Sequence, residues 1–418
     1  MTKQIYASLQ IADNEIRILV SEFFNGRLNI LKVERVAHQG IDDYKIVDED
    51  AIVTAIEKGL ENIHVNLRVK IQKVLLVMPS LALQRVNRNL HADINDPLSR
   101  VKIENIYQIY KNALNQRPQP NLEMINAEIY QFKLNGNYVF KMPLDEKTSR
   151  LTADVDLYYV NRDIVYQYAL IVEKAQLQIL DVCIDCIAVA KEAFNFDPYD
   201  ETYQIGVQIE RQHTTLSLYY RSRLIHAEIL NTGSQVWIDR LANHLDVPEE
   251  VATRLLFDNV DLSLNQYGKE PLYLWSKNKK SFTCSQHDIM DAVKEEIYST
   301  LEMIRNSSQG IFENHPTRFE IISEGAMIKG IAVALQQISD VESSQYVPST
   351  LGARDARLTA LLGSFYCYID HLQWQEEGDV SVDINEYILS LSQYVKDHQD
   401  TKITTRIKTM FDKPTQRR

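Results

Sequence analysis

The chain has 418 residues, 45 basic against 57 acidic, a net charge of −12 and an apolar share of 45%, which suits a protein of two to four domains with buried cores. That charge repels phosphate backbones and argues against a nucleic-acid partner, and four cysteines are too few for a disulfide framework. No apolar run approaches the roughly 20 residues that span a bilayer, and the opening MTKQIYASLQI lacks the apolar stretch of a signal peptide, so a cytoplasmic location is expected.

Gln10-Ile11 ends a first strand. A polar turn follows (Ala12, Asp13, Asn14, Glu15), and the alternation of Ile16, Ile18 and Val20 predicts a second strand leading to Arg27-Leu28. Asp48 and Asp50 open a helix with Ile52, Ile56, Leu60 and Ile63 at helical spacing. A buried strand at 74–77, ended by Pro79, completes an α/β half-domain. From 83 to 161 the texture changes: a helix over 101–114, a loop with Pro118 and Pro120, then strands near 125–134, 138–143 and 151–160. This reads as a small inserted α+β domain. A helix over 163–176, a strand over 177–182 and a helix over 186–194 follow. Cys183 and Cys186 form a C-x-x-C, yet no second pair or histidine stands near, and Val182, Ile184, Ile187 and Val189 surround them. They read as buried thiols.

The first hairpin then recurs: Gln208-Ile209, a polar turn from Glu210 through Thr214 and Thr215, Leu216 and Leu218, then Arg223-Leu224. Helices are expected over 233–245, over 247–257 behind Pro248-Glu249-Glu250, and over 288–304. A strand at 319–323 runs into Glu324-Gly325-Ala326 and a helix, and a further helix is expected over 354–371. A supersecondary unit repeated nearly half a chain away implies two related lobes.

Two hairpin lobes, an insert in the first and a late strand–glycine–helix turn resemble the actin-like ATPase superfamily, and within it the bacterial cell-division FtsA family. The resemblance covers nearly the whole chain. It is strongest in the insert, where Ala127-Glu128-Ile129-Tyr130, Leu134-Asn135-Gly136 and Leu151-Thr152-Ala153-Asp154-Val155 follow the family's order and spacing. It implies an α/β, actin-like two-lobed fold with a small inserted α+β domain in the first lobe. The expected divisions are a first-lobe core at 1–82 and 163–201 around an insert at 83–162, and a second-lobe core at 202–245 and 308–366 around an outer subdomain at 246–307. Closing first-lobe helices at 367–395 and a linker with a membrane-targeting tail at 396–418 complete the list.

The resemblance also implies a nucleotide cleft between the hairpin turns, and here the residues depart from the family. The first turn, normally D-x-G followed by small hydroxyl residues, is Gln10-Ile11-Ala12-Asp13-Asn14. The second, normally D-x-G-x-G-T-T, keeps only Thr214 and Thr215 behind Gln208, Glu210, Arg211 and Gln212. The adenosine-side G-G-A is Glu324-Gly325-Ala326. Glycine lets backbone amides cradle a phosphate; Gln10 and Gln208 are poor partners for hydrated Mg²⁺; Glu210 and Glu324 add negative charge beside a triphosphate. Arg211 offsets some of that charge, and Asp13 is the one candidate left for metal contact. The family's ribose-side E-x-x-K aligns on Ala252 and Leu255, whereas a one-turn shift brings in Glu249, Glu250 or Arg254. ATP with Mg²⁺ therefore depends on whether the cleft is still open, and a chain that hydrolyses ATP poorly or not at all is expected.

Near the end, Ile403, Ile407, Met410 and Phe411 recur on one helical face, with Lys402, Arg406, Lys408, Lys413, Arg417 and Arg418 around them. A short basic amphipathic helix suits an anionic leaflet; a helix docked on the protein body and an unstructured tail are the alternatives. The family resemblance favours the membrane. It further implies self-assembly into filaments through the insert, contact with other division proteins, and recruitment of the C-terminal peptide of the tubulin-like protein FtsZ by the outer part of the second lobe. Lys294 and Arg305 are the candidates there. The expected function is a scaffold tethering FtsZ filaments to the cytoplasmic face of the membrane at the division site. An active actin-like ATPase and a pilus-assembly actin-like protein are the competing readings.

Overall fold

A computed structural model describes residues 4–372 and 378–383 apart from 43, 119 and 278. The expected tail at 396–418, including Ile403, Arg406, Ile407, Lys408, Met410 and Phe411, lies outside the described residues.

The first lobe is built on β1 (Gln4–Ile11), β2 (Glu15–Phe24) and β3 (Arg27–Ala37), an antiparallel meander. A small ribbon of β4 (Ile41–Asp42) and β5 (Lys45–Ile46) leads to α1 (Glu49–Leu67) and β6 (Lys73–Met78). The side chain of Asp48 caps α1 by accepting from Ala51 N–H at 3.0 Å, and Ile52, Ile56 and Ile63 face the sheet. The chain then leaves for the insert: β7 (Gln84–Asp93), α2 (Ile103–Leu114), β8 (Leu122–Leu134), β9 (Asn137–Val139) and β10 (Arg150–Asn161). These strands form one sheet in the order β7-β10-β8-β9, and α2 buries Ile106, Ile109, Tyr110 and Ala113 in its core. β7 (QRVNRNLHAD) was not expected; its alternation of Val86, Leu90 and Ala92 toward the insert core is interrupted by Arg88. The strand expected over 138–143 shrinks to β9.

α3 (Arg162–Lys174), β11 (Gln178–Ile184) and α4 (Asp185–Ala193) return to the first lobe. Its sheet runs β11-β6-β1-β2-β3, with β6 and β11 added in parallel. The second lobe repeats this plan. β12 (Tyr203–Ile209), β13 (Thr214–Tyr220) and β14 (Arg223–Leu230) make the meander. α5 (Ser234–Leu245), α6 (Glu249–Asn259), the ribbon β15 (Pro271–Lys277) and β16 (Lys280–Ser285), and α7 (Gln286–Phe312) form the outer part. β17 (Thr317–Ser323), α8 (Ile331–Ser339) and β18 (Glu342–Gln345) close the sheet as β14-β13-β12-β17-β18, again with parallel additions.

The last described helix, α9, covers Thr359–Leu372, so residues 354–358, expected to be helical, are instead a loop and a short turn. α9 packs into the first-lobe core from Ala360 onward. It packs so closely on α4 that a Cβ at Gly363 would fall 1.7 Å from Ala188 O. Cys183 and Cys186 are buried free thiols at the β11–α4 junction.

Candidate functional site

The two hairpin turns face each other across the cleft between the lobes. Each closes in four residues, Ala12 N–H bonding Glu15 O at 3.0 Å and Glu210 N–H bonding His213 O at 2.9 Å. Thr214 and Thr215, expected in the second turn, instead open β13 and are buried. Thr214 Oγ1 donates to Thr232 O at 2.8 Å. The registers are equivalent: Gln10 stands opposite Arg17, and Gln208 opposite Thr215.

Arg17 is the principal residue that sequence reading missed. Its side chain is 1% exposed. Nε donates to Glu15 Oε1 at 2.7 Å, and Nη1 and Nη2 reach across the cleft to Glu210 Oε1 and Oε2 at 3.3 and 2.9 Å. Nη1 also donates to Gln10 Oε1 at 3.3 Å and Arg357 O at 3.2 Å. Burial opposes its charge, but the Glu210 and Glu15 carboxylates outweigh burial and hold the guanidinium firmly protonated. Burial likewise pushes the Glu15 carboxyl up, and Arg17 and Arg35 more than reverse it, leaving Glu15 below the usual carboxylate range. The available signal was a charge between Ile16 and Ile18 on a strand buried on both faces, where an ion needs a partner.

A second network fills the other wall. Arg211 Nη2 donates to Glu249 Oε1 at 2.9 Å and Thr253 Oγ1 at 3.1 Å, and its Nη1 lies 3.6 Å from Glu324 Oε1. Ser234 Oγ donates to Glu324 Oε2 at 2.7 Å. Burial raises the Glu324 carboxyl above its ordinary range against the pull of Arg211 and Ser234. Ser323, just before it, holds φ +62° and ψ −147°, a conformation that favours glycine. Gly325 lies against Ile209, where a Cβ would come within 2.6 Å, and Ala326 is buried beside it.

Asp13 is also engaged across the cleft. Its Oδ2 accepts from Gln212 N–H at 3.1 Å and lies 3.5 Å from His213 Nδ1, while the Tyr44 ring stacks on His213 with centroids 3.7 Å apart. The N-terminus of α5, where amides could receive an anion, is turned to the chain itself. Ser234 and Gln235 N–H donate to Glu210 O and Arg211 O at 3.0 and 2.8 Å. Gly233 permits this approach, since a Cβ there would meet Glu210 O at 2.5 Å.

What remains open is a cleft of about 1130 Å³ lined in part by Asp13, Asn14 and His38 from the first lobe and Phe257 and Met327 from the second. Five carboxylates (Asp13, Glu15, Glu249, Glu250, Asp258) face it against three arginines (Arg211, Arg254, Arg357). Ala252 and Leu255, the direct ribose-side alignment, are buried in the lobe core. The shifted set of Glu249, Glu250 and Arg254 lines the cleft instead. These residues do not fit Mg²⁺-triphosphate. The cationic group beside the turns is bonded to protein carboxylates, the helix amides are satisfied, and the remaining lining is net acidic. Among the described residues no three His, Cys, Asp or Glu side chains gather as a metal site.

Lys294 and Arg305 both lie on α7, eleven residues apart and so on one stripe of the helix. Lys294 is exposed, with its Nζ 5.8 Å from the Tyr298 ring centroid. Val293, beside Lys294 on the same helix, is buried. No described helix is long and apolar enough to cross a membrane.

No family model matches the chain. Among curated proteins it is 21% identical over 352 residues to the cell division protein FtsA of Streptococcus pneumoniae, covering 84% of this chain and 77% of that one. It is 19% identical over 383 residues to FtsA of Bacillus subtilis, covering 90% and 86%. Among solved structures, a PilM-PilN type IV pilus biogenesis complex aligns over 86% of this chain and 98% of the other, with a TM-score of 0.55 and 12% identity. The ethanolamine utilization protein EutJ of Carboxydothermus hydrogenoformans aligns over 87% and 89%, at 0.51 and 10%. At such identities the structural likeness bears on fold alone, and that fold is the actin-like one.

Proposed function

From its kinship with the FtsA cell-division proteins and its actin-like fold, we propose that this chain is a division scaffold. It tethers FtsZ filaments to the inner face of the cytoplasmic membrane and assembles with copies of itself, and its cleft does not turn over ATP. The observation that carries this reading is the FtsA similarity, which extends across 84–90% of the chain, insert included. The insert supplies the surface between protomers, the outer part of the second lobe with Lys294 and Arg305 receives the FtsZ tail, and the basic stretch from Ile403 to Phe411 binds anionic lipid. Each tail binds feebly, and a row of protomers presents many. The PilM-PilN likeness supports a pilus role only at the level of fold.

Co-sedimentation of the full chain with vesicles and FtsZ tests the proposal. Wild type should pellet with anionic lipid, less so as salt rises, and should bring FtsZ with it. Phe411→Glu should stay in the supernatant with unchanged thermal stability. Pelleting of that variant like wild type would remove the tail from the account, and failure of the wild type to carry FtsZ would remove the tether.

A further inference from the structure

β13 is anchored to the first lobe at both of its ends. At the cleft end, Arg17 clamps Glu210 through two hydrogen bonds at 3.3 and 2.9 Å, and Asp13 takes Gln212 N–H at 3.1 Å. At the far end, Arg223 Nε and Nη2 donate to Asp156 Oδ2 and Oδ1 of the insert at 2.7 and 2.8 Å. Asp156 is 1% exposed and also accepts from Asn87 Nδ2 at 2.9 Å, while Arg223 lies over the Tyr130 ring at 4.2 Å. Between them Tyr219 O–H donates to Cys186 O at 2.6 Å. Tyr219 and Leu224 sit inside the first-lobe core.

We infer that these two ion pairs, and not a bound nucleotide, set the angle between the lobes, so that the chain holds one closed geometry whether or not ATP is offered. The seven residues of β13 separate the anchors by roughly 20 Å. Any rigid rotation of the second lobe about an axis that crosses that line must therefore move at least one end away from its partner, and rotation about the line itself is opposed by Tyr219 and Leu224, which are buried in the first-lobe core. Separation at either end takes one ion-pair partner from a buried charge, leaving Arg17 with Glu15 alone at 2.7 Å and Asp156 with Arg85 at 3.5 Å, which is unfavourable. A ligand moves a two-state equilibrium only by its differential affinity for the two states. Here the contact between the turns that such a ligand would supply is already made by the Arg17 guanidinium between Glu15 and Glu210. The inference rests on this geometry and is independent of the division role.

Amide hydrogen exchange on the full chain tests it, with and without ATP and Mg²⁺. In wild type, the 208–213 and 233–236 segments should exchange slowly and identically in both conditions. Glu210→Gln removes the charge from a turn residue and keeps its shape; these segments should then exchange at least tenfold faster while the β12 and β17 interiors remain protected. If Glu210→Gln loosens those interiors too, Arg223→Lys decides the matter. It retains charge but loses the two-pronged bond, and should speed exchange only around 220–224 and 85–88. ATP-dependent protection in wild type, or exchange in both variants equal to wild type, would overturn the inference.

Discussion

In the first lobe the strand residue opposite the cleft glutamine is Arg17; in the second it is Thr215. The sheets share one plan, the meanders share one register, and the turns close by the same backbone bond. Arg17 crosses to the other lobe as an ion and binds Glu210, whereas the buried Thr215 meets the first lobe through a hydrogen bond with the Tyr44 side chain and carries no charge. Equivalent backbone positions thus carry different work: the first lobe supplies the fixed cation, and the second supplies the anion that receives it. Two lobes that meet a ligand between them need turns that leave room. These turns meet each other.

The largest effect should come from breaking that asymmetry at its centre. Arg17→Met leaves Glu210 without its guanidinium and Glu15 with Arg35 alone, and removal of one partner from a buried ion pair costs roughly 3–5 kcal/mol. Thr215→Val, at the equivalent place, should cost about 1 kcal/mol or less, the scale of one hydrogen bond. Urea unfolding of both variants checks this. Similar losses would show that the two hairpins contribute alike and that Arg17 is not the joint.

A second contrast pairs one buried carboxyl from each lobe. Asp185, at the start of α4, accepts from Ser80 Oγ and from Cys186 N–H; Glu324 accepts from Ser234 Oγ and faces Arg211. Burial raises Asp185 to about 7. Its carboxyl keeps its proton in the folded protein while the unfolded chain loses it above the ordinary aspartate range. This contribution to stability is full below that range and is lost as pH rises toward 7. Asp185→Asn should therefore match wild type near pH 4 and exceed it by on the order of 2 kcal/mol at pH 8, given about 1.4 kcal/mol per pKa unit and some loss of hydrogen bonding. Glu324 is raised in the same direction, with Arg211 opposing burial, so Glu324→Gln should show a pH-dependent gain of the same sign and smaller size. Thermal melts across pH 4–8 compare the two, and a pH-independent Asp185→Asn difference would refute the buried proton.

Much of this plan was legible in the chain. The repeat of Gln10-Ile11 and Gln208-Ile209 with alternating apolar strands behind each turn gave the two lobes, because strand periodicity is local. The change of texture after Leu83 marked the insert. β7 escaped notice because it lies flat on β10 with polar residues along most of its length, so its place is fixed by tertiary pairing of Asn87 and Asn89 with Asp156 and Asp154. α7 extends eight residues beyond its expected end at 304, past polar positions such as Ser307, Ser308 and Gln309 that blur the apolar period. The missing glycines and aspartates announced a poor phosphate site. They did not announce what replaced it, since Glu210 lies 193 residues from Arg17 and no local pattern joins them.

The smallest expected effect tests whether strain is held on one side of the cleft. β17 ends at Ser323 with φ +62° and ψ −147°, whereas its first-lobe counterpart β6 ends at Met78 without a positive φ. The Ser323 conformation delivers Glu324 to Ser234 and Arg211, so the network holds the backbone where a side chain is unwelcome. Glycine adopts such angles freely, and residues in sparsely populated regions carry roughly 1–3 kcal/mol of strain. Ser323→Gly should recover part of that, less what the more flexible unfolded chain takes back, for a net gain of up to about 1 kcal/mol. It should do so only while Glu324 is in place: in a Glu324→Gln background the loop can relax, and the gain should shrink. A double-mutant cycle by urea unfolding reads this coupling. Gains that are equal in both backgrounds would mean that the strain belongs to the turn itself and owes nothing to the cleft network.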